Sequence, residues 1–381
     1  MRIAIDAHMI GQRETGNESY TRNLLRGLAA LQDDDNQYQV LTPNPDGLRA
    51  VIPLPSRFEV VRVRPAASAL RIPVGMPMAV RASKSELLHV SYIAPPVPLC
   101  PTVVTIHDLS YLAHPEWLSA RVRLQLRLLI PPSLRHAARV IAISEFTKRD
   151  LIARYGTPAD KITVVPEAPA AEFTPLPDAA SQPLPAGVRE PFILAVGNLE
   201  PRKNLATLIE AFGDLVRRGF GGLLVVAGKN KYQGEQAAGT VARMGLQSRV
   251  IFTGYVDDPT LRLLYNRAAL FVYPSLYEGF GLPPLEAMAC GCPVVASQAT
   301  AIPETVGDAA ILVDATSVAA LAQAMGRVLN DPDLARRLSV EGRARAAQFS
   351  WERTAELTRR VYKDAKTPSP TLPRKRGSEM R

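Results

Sequence analysis

Two glutamates with seven residues between them stand in the segment Tyr273-Pro-Ser-Leu-Tyr-Glu278-Gly-Phe-Gly281-Leu-Pro-Pro-Leu-Glu286-Ala-Met-Ala-Cys-Gly291. The apolar run before it reads as a strand ending at Tyr273, and a loop then carries Glu278 and two glycines. Pro283 or Pro284 supplies the fixed φ favoured at a helix start, and Gly291 supplies the stop. The helix amino end therefore follows directly after Gly279, Phe280 and Gly281, with Glu286 expected in its first turn. Small residues there let a ligand approach the backbone, and unpaired N–H groups with the helix dipole suit a diphosphate. A second segment, Ala195-Val-Gly-Asn-Leu-Glu-Pro-Arg202-Lys203-Asn204, puts adjacent cations in a loop between a strand and a helix. Cations so placed can neutralise a diphosphate leaving group. A third, Val103-Val-Thr-Ile-His107-Asp108, ends an apolar strand on a histidine. Together these residue types describe transfer of a group away from a diphosphate.

The segment around Glu278 and Glu286 resembles the Glu-x(7)-Glu motif of the retaining glycosyltransferases of family 4, which have the GT-B architecture. The likeness extends from the first strand to about Lys363. It implies that Glu278 and the backbone of Gly279, Phe280, Gly281 and Leu282 hold the hydroxyls and phosphate of a donor sugar. It implies that Glu286 accepts hydrogen bonds from the nucleotide ribose and that His107 faces the transferred sugar. Lys203 matches the family lysine that serves the diphosphate. The arginine commonly found just after the glycine is Asn198 here, so Arg202 stands as the substitute guanidinium. Gly16 matches a glycine loop beside the diphosphate and acceptor, which makes Asn17 and Glu18 candidates for acceptor contact. Tyr255 and Val256 match a segment whose backbone meets the nucleobase. The family reaction is a same-face attack with the leaving diphosphate as base. It uses no metal, and the only co-substrate implied is a nucleotide sugar, GDP-mannose or a UDP-sugar.

Positioning such groups requires an α/β framework, and the rest of the chain reads as one. Arg2–Asp6, 103–106 and 140–143 are short apolar runs in the first half. Residues 192–196, 223–227, 250–252, 270–273 and 293–296 are their counterparts in the second, with helical stretches such as 205–217 and 259–268 between them. Near-continuous apolar strands separated by helices mean parallel sheets covered on both faces. The expected fold is therefore GT-B: two doubly wound, Rossmann-like domains facing across a cleft. Seven prolines between Pro166 and Pro191 forbid helix and central strand and read as an extended connector. The expected organisation is an acceptor-side domain over 1–170, a linker over 171–190 and a donor domain over 191–350. A helix over 351–365 would then return to the first domain, ahead of a disordered tail over 366–381. The first helix is expected from Thr21, and Ser144 is expected to cap a helix through Thr147. Arg121–Ile130 reads as an amphipathic helix whose stripe is Val122, Leu126, Leu129 and Ile130, and as a candidate membrane-surface element.

Composition and missing motifs exclude other classes. The 381 residues are 47% hydrophobic and 21% charged, a globular balance. No apolar run is long enough to span a membrane, and Asp6 arrives too early for a secretory leader. Three cysteines build neither a disulfide framework nor a four-thiolate zinc site, and the five histidines lack metal-ligand spacing. The net charge of +9 falls to about +5 without the stretch from Lys366 to Arg381, and no nucleic-acid module accompanies it. Gly279-Phe-Gly281-Leu-Pro-Pro284 fails the dinucleotide fingerprint at its third glycine. Gly222 to Lys229 has one residue too many for a P-loop and no Ser/Thr after the lysine. The reading is a cytoplasmic glycosyltransferase moving mannose to a glycan or lipid-linked acceptor in cell-surface polysaccharide assembly, with peripheral contact to an anionic membrane as an option. A GT-B sugar epimerase and a non-catalytic nucleotide-sugar-binding protein are the alternatives.

Overall fold

Short β-branched runs, each followed by glycine or polar residues, build two parallel sheets in the computed structural model, which describes residues 1–11, 16–33, 35–229 and 234–366. The first sheet contains β1 (Arg2–Asp6), β2 (Gln37–Thr42), β3 (Phe58–Arg62), β4 (Leu87–Ser91), β5 (Thr102–Ile106), β6 (Arg139–Ala142) and β7 (Ile162–Val164). Its order is β3-β2-β1-β4-β5-β6-β7. The second contains β8 (Phe192–Val196), β9 (Leu223–Ala227), β10 (Val250–Gly254), β11 (Leu270–Tyr273), β12 (Val294–Ser297) and β13 (Ile311–Val313), in the order β10-β9-β8-β11-β12-β13. In both sheets the strand order reverses once, between β1 and β4 and between β8 and β11, with every pair parallel. Ligands of doubly wound sheets sit at such switch points, beyond the carboxyl ends of the strands. Every residue of β5 and β9 is buried, as strands covered on both faces require.

The helices follow the sequence pattern with informative exceptions. Leu205–Arg217 buries Leu208, Ile209, Phe212 and Leu215 along one face, the period expected of it. The first helix starts at Asn17 rather than Thr21, because Gly16 takes φ 42° and ends the preceding loop there. Asn17 and Glu18 are thus first-turn residues and not part of a polar loop. Residues Gln12 to Thr15 of that loop lie outside the described residues.

The helix expected over 121–130 runs from Ala120 to His136. Its buried residues are Ile130, Ser133 and Leu134, whereas Leu124 and Leu128 are 58% and 62% exposed. Of the expected stripe, Ile130 and Leu126 pack on the core while Val122 and Leu129 are exposed. The last turns of this helix meet the core, with Leu126 packed against its edge.

The helix Trp351–Lys366 crosses Asn17–Ala30 at Gly27, where a Cβ would lie 2.5 Å from the Trp351 carbonyl oxygen. Tyr362 OH meets His89 Nδ1 at 2.7 Å under the first sheet. Lys366, read as the start of the tail, belongs to this helix and pairs with Glu86 at 2.6 Å. The rest of the tail, 367–381, lies outside the described residues. The Pro-rich stretch contains no strand and a single 3-10 turn, Ala179–Ser181. Arg262 and Arg267 of the helix Asp258–Arg267 tie it down through Thr174, Pro175 and Ala179.

Candidate active site

The carboxyl ends of the two sheets face each other across a cavity of about 690 Å³. All the residues singled out above line it: Gly16, Asn17, Glu18 and His107 from the first sheet's side, and Arg202, Lys203, Tyr255, Val256, Glu278, Gly279, Phe280, Gly281, Leu282 and Glu286 from the second's.

Glu278 lies in the turn after β11 and is buried. Its Oε1 accepts from Lys203 Nζ and from Ser275 Oγ, each at 2.6 Å, and its Oε2 accepts from Arg202 Nη1 at 2.7 Å. Its own backbone N–H donates to Thr300 Oγ1 at 2.9 Å. Burial alone would raise this carboxyl, but the Arg202 and Lys203 charges overcome it and hold the group down at about 2. Arg202 also donates to Glu200 at 3.0 Å, and Lys203 Nζ donates to Tyr273 OH at 2.7 Å while lying over that ring. Burial and the neighbouring guanidinium lower Lys203, with Glu278 opposing them. Two cations held by the Glu278 and Glu200 carboxylates form a rigid ionic floor whose N–H donors can stabilise charge developing on a leaving group.

Glu286 belongs to the second turn of the helix Leu282–Ala289, not the first, because Gly281 at φ 104° sets the start at Leu282. It accepts from Tyr265 OH at 3.1 Å. Burial pushes it up to about 8; the Tyr265 hydrogen bond lowers it, Asp258 and Glu167 raise it, and Arg22 lowers it. The two glutamates are thus pushed in opposite directions, Glu278 down by its two cations and Glu286 up by burial.

His107 projects from the end of β5. Its Nδ1 is 3.2 Å from Glu167 Oε1, both side chains are buried, and its Nε2 is buried with no hydrogen-bond partner. Asp108, the sequence neighbour, also lines the cavity and accepts from Ser110 N and Oγ. Glu167 was not marked by any motif; it follows the three-residue β7 and reaches His107 only through the fold. Arg22, Tyr92 and Asp258 line the same cavity and were likewise silent in the sequence.

The halves are latched around this cavity. Arg22 pairs with Asp258 at 2.9 Å, and Tyr277 OH donates to Asp150 at 2.6 Å. Glu145 N and Phe146 N, at the start of the helix capped by Ser144, donate to the Glu304 carboxylate at 2.8 and 3.1 Å. Thr147 Oγ1 lies 3.3 Å from the carbonyl oxygen of His107 and 3.2 Å from that of Gly279. Among the described residues no group of three His, Cys, Asp or Glu side chains is arranged to hold a metal ion.

Comparison with known proteins agrees with this geometry. The family described as Glycosyl transferases group 1 matches residues 178–345, and Glycosyltransferase Family 4 matches residues 15–168. The chain is 34% identical over 290 residues to the O-antigen chain mannosyltransferase B of Escherichia coli, covering 75% of this chain and 76% of that one. A sucrose-phosphate synthase from Thermosynechococcus elongatus superposes with a TM-score of 0.77 at 27% identity, over 95% of this chain and 98% of that one. The Anabaena HepE structure, solved with UDP and glucose, superposes with a TM-score of 0.75 at 19% identity over 95% and 99% of the two chains. With its two Rossmann-like sheets closed on a cation-floored cleft, the chain belongs to the family 4 glycosyltransferases and has their GT-B fold.

Proposed function

We propose that this glycosyltransferase moves mannose from GDP-mannose to a glycan or lipid-linked acceptor, with retention of anomeric configuration and without a metal. The observation that carries the reading is Glu278, pinned between Arg202 and Lys203 at the helix start of Gly281 and Leu282, with His107 on the opposite wall. The cations and helix end supply the charge a diphosphate needs as it departs, and no divalent ion is required for that role. The anionic diphosphate, on the same face as the incoming hydroxyl, serves as base. Mannose is favoured by the likeness to a mannosyltransferase, and a UDP-sugar is the competing donor.

Glu278 has the sugar-side role and Glu286 the ribose-side role. Glu278→Gln is expected to lower turnover at least about 100-fold, because the anionic hydrogen-bond acceptor is lost where charge develops. Its diphosphate affinity stays at or above wild type, since Gln releases Arg202 and Lys203 from a competing carboxylate. Glu286→Ala weakens the nucleoside diphosphate itself, because ribose contacts exist in donor and product alike. Calorimetry with GDP and UDP beside initial rates tests the assignment. Equal loss of diphosphate affinity in both variants would overturn it.

The reading includes a membrane-facing side. Leu70, Val74, Met78, Val97, Leu99, Leu124 and Leu128 are exposed apolar side chains of the first-sheet half. Residues 60–85 and 117–144 contain ten Arg and Lys and no Asp or Glu. Arg71 is buried against Asp6 and Arg62 pairs with Asp46. Exposed apolar groups among the remaining cations fit the surface of an anionic bilayer, where a lipid-linked acceptor would be presented. Among the described residues no helix is long and apolar enough to cross a membrane.

A further inference from the structure

The contact between His107 and Glu167 has a chemical consequence for what the cleft can hold. Glu167 sits just past β7 and is fixed from both sides. Val165 N donates to the Ala142 carbonyl at 2.9 Å, and the Pro166 carbonyl accepts from Thr354 Oγ1 of the C-terminal helix at 2.7 Å. The imidazole is fixed as well. Tyr20 meets it edge-on with centroids 4.6 Å apart, and Tyr92 stands 5.6 Å away. The ring is thus flanked by two tyrosines, and the backbone leading into Glu167 is anchored at two successive residues.

We infer that Glu167 is a positioning residue for His107: it accepts the Nδ1 proton and so turns the Nε2 lone pair toward a hydroxyl of the transferred sugar. An ionised carboxylate only accepts, so the proton of a neutral imidazole must reside on Nδ1, leaving Nε2 as acceptor. An acceptor nitrogen suits a sugar hydroxyl and repels a phosphate oxygen. Glu167 therefore separates the two walls by chemistry, with hydroxyls read by His107 and phosphate read by Arg202 and Lys203. The inference rests on the cleft being a sugar-transfer site.

The charged and titratable groups around the ring are Glu167, Tyr20, Tyr92 and His89 on its own side and Asp108 beside it in the chain. Arg202, Lys203 and Glu278 stand across the cavity. Of these only Glu167 touches a ring nitrogen.

Long-range proton–nitrogen NMR of the full chain reads the tautomer directly, with His107→Gln identifying the signals. Wild type and Glu167→Gln, whose amide oxygen still accepts, should both show the proton on Nδ1. Glu167→Leu, which cannot accept, should shift the proton to Nε2. Wild type protonated on Nε2, or Glu167→Leu unchanged from wild type, overturns the inference. Kinetics give a second readout. Glu167→Leu should lower kcat by about 100-fold with donor KM nearly constant. Glu167→Gln, whose amide oxygen still accepts from Nδ1, should keep kcat within about tenfold of wild type. A Glu167→Leu variant with wild-type kcat, or one that lowers kcat equally in a His107→Gln background, also overturns it. The NMR result does not depend on turnover, so failure of the sugar-transfer reading would show in the rates alone and failure of the contact in the spectra.

Discussion

Gly279→Ala is expected to disable the enzyme by wedging its two halves apart. A Cβ at this position would lie 1.7 Å from the His107 carbonyl oxygen, 2.8 Å from the carbonyl carbon and 3.1 Å from Asp108 Cβ. The nearest two atoms are backbone, so no rotamer change relieves the overlap. Bringing the oxygen contact to about 3 Å requires a displacement of roughly 1.3 Å between the loop after β11 and the end of β5. Gly279 is not among the residues with positive φ, so alanine meets no backbone strain of its own. The displacement falls where Thr147 bridges the two carbonyls and where His107 faces the Glu278 loop. Misplacement on the order of 1 Å at reacting groups costs about 100-fold in rate. Binding of the nucleoside diphosphate should change much less, because Arg202, Lys203 and Glu286 all belong to the undisturbed half. The assay is initial rates with donor and acceptor, beside calorimetry with the diphosphate and a thermal melt to confirm folding. A folded Gly279→Ala variant within about threefold of wild-type kcat would refute the wedge argument.

Lys203→Ala should weaken nucleoside diphosphate binding by roughly 1.5–3 kcal/mol, about 10- to 150-fold by calorimetry, and unchanged affinity would remove the cation floor from the account. If the ribose hydroxyls bind ionised Glu286, whose carboxyl stands at about 8, diphosphate affinity should rise about tenfold between pH 7 and pH 9 and be flat in Glu286→Gln. The same upward shift means that the folded chain holds this proton more tightly than the unfolded one. Glu286 accordingly subtracts stability as the pH climbs from its ordinary 4.5 toward 8, and Glu286→Gln should flatten the fall in Tm over that interval. Wild type should sediment with phosphatidylglycerol vesicles and not with phosphatidylcholine vesicles, and Leu124→Ser with Leu128→Ser should abolish the difference; equal binding to both lipids would contradict the charged, apolar face.

Fully covered strands declare themselves: β5 and β9 are unbroken apolar runs because both faces are buried. The strands that escaped notice carry polar residues inside the core, are very short, or, like the edge strand β3, are only half-buried. Gln39 in β2 and His89 in β4 are buried, and His89 is satisfied by Thr105 and Tyr362, which lie 16 and 273 residues away. β7 and β13 have three residues each, too few for a period to emerge. The candidate site divides along the same line. Glu278 and Glu286 share one loop-and-helix segment whose glycines and prolines announce its shape. The bond from Lys203 to Glu278 spans 75 residues and the one from His107 to Glu167 spans 60, so both required the sheets to be assembled first. The exposed stripe on Ala120–His136 shows the converse: periodicity identified the helix, but which face packs depends on where the helix meets the sheet.

The central claim is that this cleft transfers a hexose from a nucleotide with retention, its own cations serving the diphosphate. The direct test is to incubate the protein with GDP-mannose and a mannose-terminated acceptor in EDTA, following the anomeric proton of the product and GDP release together. The account predicts an α-linked product formed in step with GDP, at the same rate with magnesium restored. A β-linked product, or turnover that depends on the added metal, would contradict it.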